Sequence, residues 1–221
     1  MANVLSTSID AVQLILTGLP IVLILMVTAF FPSLAIGIIG GVLAASPFRL
    51  VRFIVAIYVY IFRSTPFLMF IFLVYYGLPE FDIDIGPVTT AIIALSLSHG
   101  AYMTEIIRGG LLSLDKGQNE AAIALGFNLF QRLKDITLPQ TLMAIIPSLL
   151  GQAILIIKDT SLVSVVGISE ITKLGREVVI RTNEPFVVFT LLALTYFVVC
   201  FALEMIARKL EAKARLVIAG R

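Results

Sequence analysis

Long apolar runs alternate with short polar segments along most of the chain. A helix needs about 20 mostly apolar residues to cross the hydrocarbon core of a bilayer. Five runs meet this length and predict membrane-spanning helices at about 12–45, 50–78, 88–113, 139–157 and 185–207. The first run is too long for one straight crossing, so we expect it to be tilted, kinked near Pro32 or partly interfacial. Small residues near its end would let another helix approach closely: Gly37, Gly40 and Gly41.

The composition supports a membrane location for the whole chain. Of its 221 residues, 59% are hydrophobic and 14% are charged, whereas a soluble domain is typically about 45–50% apolar and about 25% charged. One core cannot bury this excess, so the lipid bilayer must be the solvent. No linker or repeat divides the sequence, and we predict a single all-α membrane domain over residues 1–221. The net charge of +2 gives no indication of a nucleic-acid partner.

Basic residues near the ends of the predicted spans indicate how the chain is oriented. They concentrate in the first loop and the C-terminal tail: Arg49, Arg52, Arg208, Lys209, Lys213, Arg215 and Arg221. The loop at 78–85 is acidic and has no Lys or Arg. The positive-inside rule therefore predicts a membrane protein with its N-terminus outside and its C-terminus in the cytoplasm. Lys173, Arg176 and Arg181 of the fourth loop oppose this orientation but are outnumbered.

The polar segment at 114–138, between the third and fourth spans, interrupts the apolar pattern. Asp115 is a suitable N-cap for a short helix, Gly126 ends that helix, and Pro139 starts the next span. Two short helices at an angle would form a docking projection with small residues at its surface: Ala121, Ala122 and Ala124. The pattern alone allows an ordinary amphipathic loop at the membrane surface equally well.

This segment also contains a spaced motif: Glu-Ala-Ala, three residues, Gly, nine residues, then Ile-x-Leu-Pro. The residues that match are Glu120, Ala121, Ala122, Gly126, Ile136, Leu138 and Pro139. The motif resembles the cytoplasmic signature loop of the permease subunits of bacterial ABC importers. Three other stretches are similar to the polar amino acid branch of that family, the histidine-, arginine- and glutamine-type permeases: Arg63-Ser64-Thr65-Pro66, Glu105-Ile106-Ile107-Arg108-Gly109-Gly110 and Lys158-Asp159-Thr160-Ser161-Leu162.

The resemblance implies the type I ABC importer permease fold and ATP-driven import of a polar amino acid by alternating access. It implies that the segment at 114–138 couples to a separate ATPase through Glu120, Ala121, Ala122, Gly126 and Pro139. The implied partners are a dimer of ATP-binding subunits carrying ATP and Mg, a second permease chain, identical or related, and an extracytoplasmic amino-acid-binding protein. The chain has no G-x-x-x-x-G-K-[ST] phosphate loop, so we expect it to bind no cofactor itself.

Polar side chains in the third span are candidates for a substrate site, because such groups are costly inside a membrane. Ser98, Tyr102 and Glu105 share one helical face, and His99, the only histidine, lies one step round from it. We predict that Ser98, His99 and Tyr102 bind substrate, although a lone histidine is often only a packing residue. Glu105 is predicted to pair with Arg108, three residues on, in a structural role.

The fourth span and its outer end supply further candidates. Gln152 and Asp159 are seven residues apart and face the same way, and we predict that both bind substrate. A neutral amide at Gln152 argues against a site built for a cationic side chain, unless a partner chain supplies the negative charge. Arg63 is either an anchor near the membrane boundary or a partner for a substrate carboxylate. Lys158 and Ser161 are expected to hold the bend after the span.

Other functions explain less of the sequence. A gradient-driven secondary transporter or channel needs no ATPase, and the segment at 114–138 would then have no purpose. An enzyme needs paired carboxylates, an activated nucleophile or a metal-spaced cluster, and one histidine allows little acid–base chemistry. We therefore predict no catalytic residue and no metal site. A scaffold that docks an ATPase without moving solute would not need polar groups aligned inside two spans.

Overall fold

The computed structural model describes residues 2–219, and it describes side chains for residues 11–210 apart from 116 and 119, and for residue 212. Arg221 of the predicted cytoplasmic tail and the side chains of Lys213 and Arg215 lie outside this part. Nine α-helices occupy the described chain: α1 (Ala2–Ala44), α2 (Arg49–Ser64), α3 (Phe67–Gly77), α4 (Gly86–Leu112), α5 (Lys116–Ala124), α6 (Leu129–Gln131), α7 (Leu138–Asp159), α8 (Ile171–Thr182) and α9 (Pro185–Ala219). No strand forms between residues 2 and 219, and the predicted all-α fold class is confirmed.

Three shorter segments connect these helices. Leu78–Phe81 and Thr160–Val166 are 3₁₀ turns, and Arg132–Thr137 is a π-helical stretch. The π-helical stretch joins α6 to α7, so the chain is helical without a break from residue 129 to residue 166. Wider turns of this kind are frequent at functional sites, and this one lies inside the segment predicted to couple to an ATPase.

Several helices are long and apolar enough to cross a membrane. Within residues 2–219 these are Ala11–Ala44, Leu129–Val166 and Pro185–Leu210, and the bent pair Arg49–Ser64 and Phe67–Phe81 makes a possible fourth. The 27-residue α4 is about 40 Å long, which is enough to cross a membrane. Its polar side chains, however, keep its mean hydropathy below that of these helices. The count of five spans therefore stays a prediction, which holds if the bent pair and α4 both cross.

Close packing of α1 on α4 forms the centre of the fold. The glycines predicted to allow close approach lie at this contact. A Cβ atom added to Gly41 would lie 2.6 Å from Cγ2 of Ile107, and one added to Gly37 would meet Met103. Both partner side chains on α4 are fully buried. Because α1 stays one helix through Pro20 and Pro32, it supports the inner face of α4 along much of its length.

The predicted second span is two helices that meet at 102°. Pro66 has no N–H to continue the hydrogen-bond ladder of α2, and Thr65 before it is extended, with φ −91° and ψ 125°. The Thr65 hydroxyl instead donates to the Ile61 carbonyl at 2.8 Å. The run at 50–78 therefore does not form one straight helix, and Arg63 lies at the last turn of α2.

The predicted fourth loop contains a helix that the apolar pattern did not indicate. This helix, α8, is amphipathic and buries Ile171, Gly175 and Val178 against the rest of the fold. Glu170 caps its N-terminus by accepting hydrogen bonds from the backbone N–H groups of Thr172 and Lys173. The segment between α7 and α9 is thus a packed element of the fold.

Candidate substrate and coupling sites

A buried polar contact joins α4 to α7. Nδ1 of His99 lies 3.2 Å from Oε1 of Gln152, and Nε2 of His99 lies 3.2 Å from Oδ2 of Asp159. His99 is 3% exposed and Gln152 8% exposed, whereas about a third of the Asp159 side chain remains accessible. The structure therefore brings together three predicted substrate-binding residues, with the imidazole held between an amide and a carboxylate.

The atoms of this contact allow more than one proton arrangement. Among the described residues, Nε2 of His99 has no hydrogen-bond partner of good geometry, so its approach to Oδ2 of Asp159 is a close polar contact and not a well-formed hydrogen bond. The Gln152 amide can accept from Nδ1–H or, if turned over, donate to a bare Nδ1. The exposed share of the Asp159 carboxylate leaves acceptor sites that a substrate ammonium group can use.

Aromatic and charged side chains continue the polar region along α4. The ring centroids of His99 and Tyr102 are 6.3 Å apart, and the guanidinium of Arg63 lies 5.2 Å from the centre of the Tyr102 ring. One turn further on, Arg108 donates three hydrogen bonds to the carboxylate of Glu105 at 2.8–3.2 Å. The expected Glu105–Arg108 pair is present, and Arg63 packs on the predicted site residue Tyr102 instead of extending away from the bundle.

Three other predicted residues lie near this contact without joining it. Ser98 is 5% exposed, and no hydrogen bond links it to His99, Gln152 or Asp159 within the described residues. Lys158 points away to an exposed position on α7. The Ser161 hydroxyl donates to the Lys158 carbonyl at 2.7 Å, and its role in holding the bend stays a prediction.

The segment at 114–138 has the cap and the break predicted for it. Asp115 caps α5 by accepting from the N–H of Gly117 at 2.8 Å. Gly126 has a φ of +79°, a conformation that glycine adopts without steric cost. The chain then restarts in a capping box, in which Asn128 and Gln131 each bond the backbone N–H of the other.

The surface of this segment is apolar as well as polar. Ile123, Leu125, Leu129 and Phe130 are 54–76% exposed, and Glu120 and Ala121 are exposed beside them. Ala122 differs from the prediction, because it is only 2% exposed and its carbonyl accepts from the N–H of Phe127. Ala122 therefore supports the turn from inside and does not belong to an exposed docking surface.

One buried polar group was missed by the sequence analysis. Glu170 of the predicted fourth loop was not selected as a candidate, yet it is fully buried and accepts a hydrogen bond from the Tyr196 hydroxyl at 3.0 Å. The signal that could have found it is its place directly before the amphipathic run at 171–182, where an acidic side chain makes a favourable N-cap.

Comparison with known families gives a match over most of the chain. Residues 37–216 match the sequence profile described as "Binding-protein-dependent transport system inner membrane component". The matched region contains α2 to α8, the His99–Gln152–Asp159 contact and the whole segment at 114–138.

Individual proteins are similar over nearly their full lengths. The arginine transport system permease protein ArtQ of Bacillus subtilis is 33% identical over 95% of this chain and 96% of its own length. The glutamine transport system permease protein GlnP of Escherichia coli K12 is 30% identical over 93% and 95%. A solved structure described as an amino acid ABC transporter with histidines has a TM-score of 0.84 at 28% identity, covering 93% of this chain and 96% of that one.

Proposed function

The chain belongs to the family of binding-protein-dependent transport system inner membrane components, and from this we propose that it is the permease subunit of an ATP-driven importer of a polar amino acid. Relatives whose names specify arginine and glutamine transport systems support an amino acid as the substrate. The observation that carries the proposal is the buried contact of His99 with Gln152 and Asp159 between two long helices.

This contact has the chemistry that a polar amino acid needs. The accessible part of the Asp159 carboxylate is a partner for the substrate ammonium group, and a hydrogen bond to a charged group contributes about 1.5–3 kcal/mol. The Gln152 amide both donates and accepts hydrogen bonds, so it can bind a neutral polar side chain of the substrate. Arg63, held on the Tyr102 ring, supplies a cation for the substrate carboxylate. Ser98, next to His99 on α4 but not bonded to it, is proposed as a further contact for the substrate.

Coupling to ATP hydrolysis is assigned to the segment at 114–138. We propose that the exposed side chains Glu120, Ile123 and Leu125 dock on a separate ATP-binding subunit, which holds ATP and Mg. ATP binds the closed form of the ATPase dimer more tightly than the open form, and this difference supplies the bias for the change in the membrane helices. The unbroken helical run from residue 129 to residue 166 connects the docking segment to Asp159.

The remaining partners and the orientation follow from the same proposal. A second permease chain, identical or homologous, completes the pathway, and an extracytoplasmic binding protein delivers the amino acid. The chain crosses the inner membrane five times, with α4 and the bent α2–α3 pair each crossing once. The N-terminus is outside and the C-terminus in the cytoplasm, so the segment at 114–138 faces the ATPase.

Uptake by reconstituted vesicles tests this function. Vesicles containing the chain, its ATPase and its binding protein should accumulate a labelled polar amino acid only when ATP is inside and hydrolysable. Ionophores that collapse ion gradients should leave the uptake rate unchanged. Uptake that is driven by an imposed gradient without ATP would support the secondary-transporter alternative and overturn the proposal.

A further inference from the structure

A cavity of about 410 Å³ lies where the segment at 114–138 meets the ends of the long helices. Its walls come from the end of α1, the start of α2, the end of α4, the segment itself and the start of α7. Four of the five predicted spans begin or end beside it, at 45, 50, 113 and 139. The cavity therefore lies at a boundary between lipid and water.

Most of the cavity wall is apolar, and part of it is uncovered. The apolar side chains include Val42, Phe48, Leu112, Leu129, Leu133 and Ile136. Phe48, Leu112 and Leu129 are 63–66% exposed, so the described part of the protein leaves their surface open. A small hydrophilic ligand would gain little from such a wall, whereas an acyl chain that packs on it removes apolar surface from water.

Polar groups at the same cavity can bind an anion. Ser46 lines it, and the Ser46 Oγ is buried without a hydrogen-bond partner among the described residues. Such a group is uncommon in native folds unless a ligand or water meets it. The Arg52 guanidinium donates to the Ser46 carbonyl at 3.1 Å, which is its one side-chain hydrogen bond within the described residues. Because a guanidinium has five N–H donors, Arg52 has others available for a ligand.

The charges around the cavity also favour an anion. Arg132 lines it and Arg52 borders it, while Asp115 supplies one negative charge, so these three residues leave one net positive charge. One oxygen of the Asp115 carboxylate is already used, because Oδ1 accepts from the N–H of Gly117 at 2.8 Å. Arginine suits a phosphate group, since two of its N–H groups can meet two phosphate oxygens. Basic pockets between helix ends at the membrane surface are typical sites for anionic lipid headgroups.

We propose that this cavity binds an anionic phospholipid, with its phosphate on Arg52 and Arg132 and one acyl chain along the apolar wall. The Ser46 hydroxyl donates to a headgroup oxygen. The bound lipid joins the ends of α1 and α2 to the segment at 114–138. The proposal rests on the proposed function only for its effect on ATP hydrolysis, because lipid binding itself requires neither an ATPase nor a substrate.

The chain has no tryptophan, so one introduced tryptophan reports on a single place. Phe48→Trp puts the reporter in the cavity wall, and Phe31→Trp puts it at a 63% exposed position of α1 outside the cavity. The full chain is reconstituted in phosphatidylcholine nanodiscs that contain brominated phosphatidylglycerol or brominated phosphatidylcholine, which quench a tryptophan on contact. One net positive charge predicts about a fivefold preference for phosphatidylglycerol at Phe48→Trp. Phe31→Trp should show no preference.

Charge variants in the Phe48→Trp background form a graded series. Arg52→Gln should remove the preference, whereas Asp115→Asn, which keeps an N-cap residue, should raise it to roughly 30-fold. A damaged fold would not raise the preference, so Asp115→Asn remains decisive if Arg52→Gln does not fold. Lys209→Gln is the matched control, because it removes one positive charge from an exposed position on α9, a helix that contributes nothing to the cavity. It should leave the preference unchanged.

Four results would overturn the proposal. Equal quenching of Phe48→Trp by the two lipids would make the cavity an apolar surface for any lipid. Quenching by neither lipid would show that protein covers it. A preference that Lys209→Gln removes as fully as Arg52→Gln would reflect general attraction of anionic lipid to the chain. Loss of the preference on adding soluble glycerol phosphate would assign the site to a soluble phosphate ester.

The effect on transport is measured separately in the reconstituted complex. Replacing phosphatidylglycerol by phosphatidylcholine should lower amino-acid-stimulated ATP hydrolysis about fivefold in the parent, and Arg52→Gln should give the low rate in both lipids. Equal rates in the parent, despite a fluorescence preference, would overturn the effect on coupling and leave the lipid site intact. A chain that associates with no ATPase would contradict the proposed function and also leave the lipid site intact.

Discussion

Gly126, in the segment at 114–138, is a position where a small substitution acts on the backbone alone. Its φ is +79°, and a Cβ atom added there would meet nothing within 4 Å. Gly126→Ala therefore introduces no clash, and its whole effect comes from the backbone. The left-handed conformation costs an L-residue about 1–2 kcal/mol, which lowers the equilibrium ratio of the native turn to its opened forms roughly 5- to 30-fold.

Gly109 provides a matched control for this substitution. A Cβ atom added to Gly109 also meets nothing within 4 Å, but Gly109 lies inside α4 with a helical backbone. Gly109→Ala should stabilise the protein by about 0.5–1 kcal/mol, because alanine favours the helix over the unfolded chain. The two variants thus add the same methyl group in open space and differ only in the sign of φ.

Amide hydrogen exchange and ATP hydrolysis are the two assays for this pair. In Gly126→Ala the N–H groups of residue 126 itself and Phe127, which in the parent bond to the carbonyls of Ile123 and Ala122 at 2.9 and 3.0 Å, should lose roughly 5- to 30-fold in protection. Amino-acid stimulation of the ATPase should fall while the amount of membrane-inserted protein stays the same. Equal protection and equal stimulation in the Gly126→Ala and Gly109→Ala variants would refute the reasoning.

Three further predictions concern packing, capping and pH. Gly41→Val should lower the free energy of unfolding by about 1–3 kcal/mol in a thermal unfolding experiment, because its Cβ atom would lie 2.6 Å from Ile107. Gly77→Ala, which adds a methyl group in open space, should not lower it. Equal losses in the two variants would contradict the packing of α1 on α4. Asp115→Ala should lower the stability of α5 by about 1 kcal/mol and reduce its amide protection, whereas Asp115→Asn should keep that protection. Unchanged protection in the alanine variant would contradict the capping role of Asp115. Because burial raises the pKa of Glu170 above 4.5, its contribution to stability is present below pH 4.5 and is lost as pH rises through the folded pKa. The parent protein and Glu170→Gln should therefore be compared by their free energies of unfolding. The parent value minus the variant value should fall as pH rises from 4.5, and a constant or growing difference would contradict the raised pKa of Glu170.

The apolar runs were sufficient to predict the fold class and most helices, because in a membrane nearly every crossing segment must be helical and apolar. The run at 139–157 corresponds to α7, and the run at 185–207 lies within α9. Local signals also predicted the form of the segment at 114–138, where Asp115 caps a helix and Gly126 ends it. Both features depend on residues close in sequence, so a single sequence contains the information.

The features that were not predicted are one local bend and two contacts between helices that are distant in sequence. The 102° bend after Thr65 was not predicted, since an apolar count does not register how Pro66 restricts the residue before it. His99, Gln152 and Asp159 were each selected as candidates, yet their contact depends on how α4 packs against α7, a helix distant in sequence. Glu170 was missed because its partners include a residue on another helix, Tyr196.

The most direct test of the importer account is ATP hydrolysis by the complete complex across a panel of amino acids, with and without Gln152→Ala. Gln13→Ala, at an exposed position on α1, serves as the control. The account predicts that one class of polar amino acid stimulates hydrolysis, that Gln152→Ala changes which amino acids do so, and that Gln13→Ala has no effect. Stimulation that is the same in all three proteins would contradict a substrate site in this chain, and failure of any ATPase to associate would contradict the coupling role of residues 114–138.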